Sequence, residues 1–256
     1  MAEPPDQPRP LLAMVALGTP ALPPTAALTR SLRTIPGIAL DLRSVEEKDG
    51  TLVFGLGKDR AAVALMPAPI PWSNLEGPCA TAWWWPEATD KMKVHNSHIL
   101  VALVGKTGNL VHQHITLTHL TAVVASHTDA VGIYWGSGTL VHEPNDFIEQ
   151  AQNLSSNDLP LHLWIDFRIE QNDDGSYRLF TTGMKALGQM EIEIPHSTRE
   201  PKEIMNFAYS TANYMITSNP RIDDGETVGR SPTEKIKAVH APSIWDSKTR
   251  VLRLDF

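Results

Sequence analysis

The stretch IALDLRSVEEKDGTLVFGLGKDRAAVALM, residues 38–66, decides the fold class of this chain. Apolar and β-branched runs alternate in it with two short turns, Lys48-Asp49-Gly50 and Gly57-Lys58-Asp59. An Asp-Gly pair between such runs favours a tight hairpin. The stretch therefore predicts an antiparallel β-meander, with strands at 38–45, 51–55 and 61–66.

Outward from the meander, helical and extended patterns alternate along the chain. Further strands are predicted at 11–17, 97–104, 130–134, 161–170, 177–181, 190–194, 235–239 and 250–256. Helices are predicted at 23–34, 75–85, 109–126, 145–153 and 200–217. Hairpins with helices between them indicate an α+β fold, in which helices pack on one face of antiparallel sheets. Tandem ferredoxin-like halves are one way to build it.

Composition predicts one domain with a short tail. The 256 residues are 42% hydrophobic and 20% charged, which are ordinary globular values. Residues 1–10 contain four prolines and little apolar content, so we expect disorder there. Residues 11–256 are expected to form a single α+β domain made of two halves, about 11–90 and 91–256.

Charge and cysteine content narrow the functional classes. The formal net charge is −7, and no cluster of Lys or Arg is present. The absence of such a cluster disfavours binding to nucleic acid, and the negative charge favours attraction to a basic partner. Leu11–Leu17 is too short to span a membrane and follows acidic rather than basic residues. Cys79 is the only cysteine. We therefore expect a cytoplasmic protein without a membrane segment or a disulfide.

Catalytic motifs are incomplete in this sequence. Gly105-Lys106-Thr107 follows an apolar run but lacks the earlier glycine of a phosphate-binding loop. Gly136-Ser137-Gly138 lacks the spacing of a nucleophile elbow. Cys79 has no neighbouring histidine that would activate its thiol. We accordingly predict a protein without catalytic residues or a cofactor.

Six of the ten histidines lie between His95 and His127. Clustered imidazoles can ligate zinc, yet ligands on one helical face should be three or four residues apart. On the predicted helix, His112 and His114 are two residues apart and His112 and His119 are two turns apart, although a folded site that combines His98 with a helix histidine stays open. The alternative hypothesis is a histidine-based metal-dependent enzyme or ligand-binding protein that uses His95, His98, His112 and His119.

Two further features suit binding to a protein partner. Trp83, Trp84 and Trp85 are consecutive, so their rings cannot all enter one core, and at least one is expected near the surface. Acidic pairs occupy predicted turns, where they serve backbone geometry or form a charged rim. The candidate partner-binding residues are Trp83, Trp84, Trp85, Asp173, Asp174, Asp223, Asp224 and Glu226.

Several motifs in roughly residues 95–256 resemble a bacterial family built on a domain of unknown function. They are Tyr134-Trp135, Thr181-Thr182-Gly183, Glu191–Ile194 and the turn Asp224–Gly229. One branch of that family is similar to the TsiT-like immunity proteins of type VI secretion, which neutralise a co-encoded toxin of the nuclease class. The resemblance implies a cytoplasmic, non-enzymatic immunity protein whose partner is a cognate protein toxin. It assigns no role to any residue.

Overall fold

The computed structural model describes residues 10–105, 108–155, 158–231 and 233–256. Disorder was expected for residues 1–10; residues 1–9 lie outside these ranges, as do Lys106 and Thr107. The chain folds into two compact units, one that ends at Leu163 and one that begins at Trp164.

The first unit is built on a seven-stranded antiparallel sheet in the order β2-β3-β4-β5-β1-β6-β7. Pairing of β4 with β5 continues the sheet past the junction near residue 90 that was expected between two halves. The strands are β1 (Leu11–Leu17), β2 (Leu40–Lys48), β3 (Thr51–Leu56), β4 (Asp59–Met66), β5 (Ser97–Val104), β6 (Ala130–Trp135) and β7 (Leu140–His142).

Five helices belong to this sheet. They are α1 (Thr25–Thr34), α2 (Trp72–Thr81), α3 (Ala88–Lys93), α4 (Leu110–Ser126) and α5 (Pro144–Asn153). The strands β4-β5-β1-β6, with α1 after β1 and α4 between β5 and β6, have the strand order of the ferredoxin-like motif. In this unit the hairpin β2–β3 and the helices α2 and α3 are additions to that motif.

Helices cover both faces of the first sheet. Tyr134 and Trp135 are neighbours in β6 and therefore point to opposite faces. Tyr134 packs against the cluster formed by α2 and α3, whereas the ring of Trp135 contacts His114 of α4 and Phe147 of α5. The helical layer expected on one face is thus joined by α2 and α3 on the other.

Local sequence accounts for where these elements begin. Asp49 and Gly50 have φ of 49° and 74°, as a tight hairpin requires, and they connect β2 to β3 as predicted. The sequence predicted a helix that is capped by Asn145, and this cap was wrong. Pro144 takes the first position of α5, where its missing N–H costs nothing, and the Glu143 carboxylate accepts a 2.9 Å hydrogen bond from the backbone N–H of Asp146.

The second unit contains a six-stranded sheet in the order β11-β12-β13-β10-β9-β8. Its pairs are antiparallel except for β10 and β13, which run parallel. A 3-10 turn, Met184–Leu187, and one long helix, α7 (Pro201–Ser218), interrupt the strands. The strands are β8 (Asp166–Gln171), β9 (Tyr177–Thr182), β10 (Ile192–Ser197), β11 (Thr227–Val228), β12 (Ile236–Pro242) and β13 (Arg250–Leu254).

Helix α7 supplies the apolar layer of this sheet. It begins at Pro201, one residue after the predicted start, and ends before Asn219, which adopts the left-handed conformation that closes helices. The ring of Tyr209 contacts Phe167 of β8 at 5.5 Å between centroids. Each member of the apolar stripe of α7 is buried: Ile204, Phe207, Ala208, Thr211 and Met215.

The predicted strand at 161–170 was partly wrong. Residues Leu161–Trp164 form a single helical turn, α6, and extended structure begins only at Asp166. The alternation of Leu161, Leu163 and Ile165 looked like one face of a strand. All three are buried, as is Trp164, and only His162 in this run is exposed.

The two mostly antiparallel sheets and the helices between their strands confirm the α+β class for the described ranges. Among the helices of these ranges, none combines the length and apolar character needed to cross a bilayer.

Candidate functional site

The tryptophan triplet lies in a turn rather than in a helix. Helix α2 ends at Thr81, earlier than the predicted Trp85, and two turn hydrogen bonds follow it. The backbone N–H of Trp83 donates to Thr81 at 2.9 Å and that of Trp85 donates to Ala82 at 2.9 Å. Pro86 disfavours helical backbone at the residue before it. The three rings consequently leave the chain in three directions.

Trp85 is the buried member of the triplet, with 5% of its surface exposed. It packs with Met92 of α3 against Gly132 of β6, in the hydrophobic cluster between α2, α3 and the sheet. A Cβ atom at Gly132 would lie 2.2 Å from Met92 Sδ and 3.0 Å from the Trp85 ring. The absent side chain of Gly132 is therefore what lets these two residues reach the strand.

Trp84 is half-buried and lies along the edge of the sheet. Its indole nitrogen donates a 3.1 Å hydrogen bond to the backbone oxygen of Val141 in the edge strand β7. Its ring stacks on His142, with 6.2 Å between centroids and 26° between planes. A sheet edge exposes unpaired backbone groups, and here the indole satisfies one of them.

Trp83 projects outward, with 77% of its surface exposed. Its ring meets Trp84 edge-on, at 5.7 Å between centroids and 82° between planes. This confirms the expectation that one ring of the triplet lies at the surface. Trp72 packs partly buried against the same hydrophobic cluster as Trp84. We call Trp72, Trp83 and Trp84 the tryptophan surface.

His142 supports this surface from the interior, and the sequence did not single it out. It is 4% exposed, its Nε2 donates to the backbone oxygen of Leu163 at 3.2 Å, and its ring lies 5.6 Å from Phe147. Burial lowers the pKa of His142 to about 3. The side chain is therefore neutral at physiological pH, and it gives Trp84 a fixed, uncharged ring to stack on.

The four histidines of the metal hypothesis have separate roles. His95 is 7% exposed, and its Nε2 accepts a 2.7 Å bond from the backbone N–H of Ile70 while Nδ1 donates to the Met92 oxygen. Both nitrogens of His95 are thus occupied by the segment that leads into α2 and out of α3. His98 donates from Nδ1 to Ala68 at 2.8 Å, and burial lowers its pKa.

The remaining two candidates lie on α4. His112 is exposed; its backbone N–H donates to the capping side chain of Asn109, and its backbone oxygen accepts from the Thr116 hydroxyl. His119 is half-buried, and burial lowers its pKa. Within the described ranges, no three His, Cys, Asp or Glu side chains are grouped so that they could hold a metal ion.

The acidic turn of the β8–β9 hairpin is stabilised by hydrogen bonds that its own carboxylate accepts. The Asp174 carboxylate accepts hydrogen bonds from the hydroxyl and the N–H of Ser176, at 2.6 and 3.0 Å. Its other oxygen lies 3.4 Å from His196 Nε2. The hydroxyl bond from Ser176 is the main reason that the pKa of Asp174 is lowered. Asp173 is exposed beside it.

The second acidic turn is also held by local bonds. Asp223 accepts from Arg221 Nε at 2.9 Å, and Glu226 accepts from the Asp223 N–H at 2.8 Å. Asp224 accepts from the backbone N–H of His240 in β12 at 2.8 Å. These carboxylates fasten the turn to the strand, as the backbone interpretation of the sequence predicts.

Glu191, part of the motif that carried the resemblance, closes the turn after β9. Its carboxylate accepts from the hydroxyl of Thr181 at 2.8 Å and from the backbone N–H groups of Gly183 and Lys185 at 3.0 and 3.1 Å. Gly183 has a φ of 122°, a conformation that favours glycine. The Thr-Thr-Gly and Glu-Ile-Glu motifs thus meet in one structural contact.

The comparison with family models agrees with part of the resemblance. Residues 180–255 match a domain of unknown function, DUF4261. The matched segment runs from β9 to the residue after β13, within the second unit. The matched segment is shorter than the part of the chain, roughly residues 95–256, over which the motifs resembled the family. The description of the family names no activity. No curated protein and no solved structure matches the chain.

Proposed function

We propose that this protein is a non-catalytic, cytoplasmic immunity protein that binds and neutralises a cognate type VI secretion toxin. The toxin is proposed to be a basic protein, with a nuclease as the leading class. The observation that carries the proposal is Trp83, an indole exposed over 77% of its surface. The tryptophan surface is the part of the first unit that would meet the toxin.

The way in which Trp83 is held supports a binding role. Its edge rests on Trp84, and Trp84 is fixed by Val141 and His142. An aromatic side chain that is already ordered loses little conformational freedom when a partner covers it. Tryptophan is enriched among the few interface residues that supply about 2 kcal/mol or more of binding energy. Trp83 therefore fits the role of a preformed anchor.

Charge supports a basic partner. The chain has a formal net charge of −7. An acidic protein attracts a basic one over a distance of about 10 Å at ordinary salt, and this raises the association rate more than the final affinity. An inhibitor of a DNA-seeking toxin gains from rapid capture. The proposal consequently predicts that added salt slows association and leaves dissociation almost unchanged.

Calorimetry with the protein encoded by the neighbouring gene tests the proposal. Native protein should bind that product and suppress its toxic activity. Trp83→Ala should raise the dissociation constant by about 30-fold, the equivalent of about 2 kcal/mol. Tyr214→Ala is a matched control, because it removes another exposed aromatic ring, 50% exposed, from α7. Absence of binding, or equal affinity of both variants, would contradict the proposal.

A further inference from the structure

A second exposed tryptophan, Trp245, lies in the second unit, on the connection between β12 and β13. Trp245 is 51% exposed and its neighbour Ile244 is 48% exposed. Both fall inside the segment that matches the domain of unknown function. Neither takes part in the proposed function above, which rests on Trp83.

The loop that carries Trp245 is closed by its own hydrogen bonds. The Ser243 N–H donates to the Thr249 oxygen at 2.8 Å, and the Ser243 hydroxyl accepts from the Trp245 N–H at 3.1 Å. Asp246 accepts from the Lys248 N–H at 3.0 Å and from the Thr249 hydroxyl at 2.7 Å. Trp245 is thus presented by an ordered turn.

A buried carboxylate anchors this loop to the sheet. Glu193 of β10 is 2% exposed and accepts a 2.5 Å hydrogen bond from the Ser243 hydroxyl. Its other oxygen faces the Ile244 N–H at 3.3 Å and Arg253 Nη2 at 3.6 Å. Burying a carboxylate is costly unless it is fully paired, and these donors pair it.

The ring of Trp245 rests on two residues of β9. Its centroid lies 5.0 Å from that of Phe180, and the guanidinium of Arg178 lies 4.7 Å from the ring centroid. Arg178 is itself held by Glu170 of β8 through Nε at 2.9 Å and Nη2 at 2.7 Å. The indole is therefore fixed on one side and open on the other.

The charges around Trp245 differ from those of the whole chain. Glu170 and Glu193 face the guanidinium groups of Arg178 and Arg253. Asp246 accepts from a backbone N–H and a hydroxyl, which are neutral donors, so it keeps its negative charge. Lys185 and Lys248 are exposed, and Lys185 is near enough to Asp246 to add to the effect of the Thr249 bond, which lowers the pKa of that carboxyl. The patch therefore offers two exposed lysines and one ionised carboxylate beside an apolar anchor.

We propose that Ile244, Trp245, Lys185 and Lys248 form a binding surface for an acidic segment of a second protein. An aromatic or aliphatic side chain of that segment covers Trp245, and flanking carboxylates meet the two lysines. A short acidic segment interacts mainly with the charges of this patch. A nucleic acid carries one negative charge per phosphate along its length, so the net charge of −7 of the whole chain repels it. Ile244 also offers no flat ring on which a base could stack.

Fluorescence anisotropy with a labelled peptide tests this surface in the full chain. The probe is a synthetic peptide with a central Phe between pairs of Glu. The comparison probes are the same peptide with Lys for Glu and a single-stranded oligo-dT. The acidic peptide should bind, and Trp245→Ala should weaken its binding by about tenfold or more. The double variant Lys185→Glu, Lys248→Glu should weaken it several-fold.

Controls separate this surface from the one proposed for the toxin. Trp83→Ala should leave peptide binding unchanged, and Trp245→Ala should leave toxin binding unchanged. Since Trp245 covers Phe180, its variant is checked by circular dichroism, and the exposed lysine variant provides a second measurement. Equal binding of the acidic and basic peptides, no effect of either variant, or oligo-dT competing at Trp245 would overturn the proposal.

Discussion

The Trp84 indole donates a hydrogen bond to the Val141 backbone oxygen over 3.1 Å. This bond joins the turn after α2 to the edge strand β7, residues that are 57 positions apart in sequence. It fixes the half-buried ring of Trp84, against which the exposed ring of Trp83 rests. We therefore expect Trp84 to contribute mainly to the stability of the fold and Trp83 mainly to binding.

Replacement of Trp84 should cost stability, whereas replacement of Trp83 should not. Trp84→Phe removes the bond to Val141 and should lower the free energy of unfolding by about 1 kcal/mol. Trp84→Ala also removes the stacking on His142 and should cost about 3 kcal/mol. Trp83→Ala should stay within about 0.5 kcal/mol of the native value. Urea unfolding followed by circular dichroism measures all three, and an equal loss in the two alanine variants would refute the distinction.

Gly132→Ala should destabilise the first unit. The new methyl group would lie 2.2 Å from Met92 Sδ, so Met92 and Trp85 must move from a packed cluster. Overpacking of this kind costs about 1–3 kcal/mol. Thermal unfolding should show a lower midpoint, and the double variant with Met92→Ala should recover part of the loss from the clash. A midpoint unchanged in Gly132→Ala would show that the cluster has free space.

Glu193→Gln should loosen the Trp245 loop. The amide keeps the shape of the side chain but loses the charge that faces Arg253 and the strong bond from Ser243. We expect a loss of about 1–2 kcal/mol in the free energy of unfolding, because the buried carboxylate loses the charge that strengthens the Ser243 bond and faces the partly exposed Arg253. Ser243→Ala, which leaves the charge pair intact, should cost only about 1 kcal/mol. Chemical denaturation compares them, and a larger loss in Ser243→Ala would contradict this assignment.

Stability should fall on mild acidification because of two buried histidines. Burial lowers the pKa of His142 to about 3 and that of His114 to about 4, whereas both titrate near pH 6.5 when unfolded. Between about pH 6.5 and 4 the unfolded chain binds more protons, so the free energy of unfolding decreases with decreasing pH. The slope is at most about 1.4 kcal/mol per pH unit for each histidine.

Urea unfolding at several pH values between 7.5 and 4.5 checks this slope. His142→Gln should flatten the dependence by up to one proton. His112→Gln is the matched control, because His112 is exposed on α4, and it should leave the slope as in the native protein. A His142→Gln slope identical to the native one would mean that His142 does not set the acid sensitivity.

Most strands could be predicted because their signals are local. Leu11–Leu17 and Ser97–Val104 were predicted with their observed bounds, since both are short apolar runs with clear boundaries. The error at Leu161–Trp164 arose because this short segment is mostly buried, and its pattern is too brief to distinguish a strand from a helical turn. The short strand Leu140–His142 was missed for the same reason, since all three of its residues are buried.

The candidate site was only partly predictable. The triplet of tryptophans showed that a ring must reach the surface, but which ring does so depends on Val141, Gly132 and His142, which approach from distant strands. Trp245 was missed because nothing beside it in sequence reveals that Phe180, Arg178 and Glu193 support its loop. Such supports are tertiary, and a single sequence does not contain their distances.

The parallel pairing of β10 with β13 has a consequence for biosynthesis. Ile192 pairs with Leu252, so about 60 residues must be made before this pair can form. Closing a long loop costs conformational entropy before the new contacts offset this cost, and folding is slower as a result. Until β13 emerges from the ribosome, β10 has an open side in the unit that β8 and β9 have begun. We therefore expect the nascent second unit to rely on chaperones until β13 has been made.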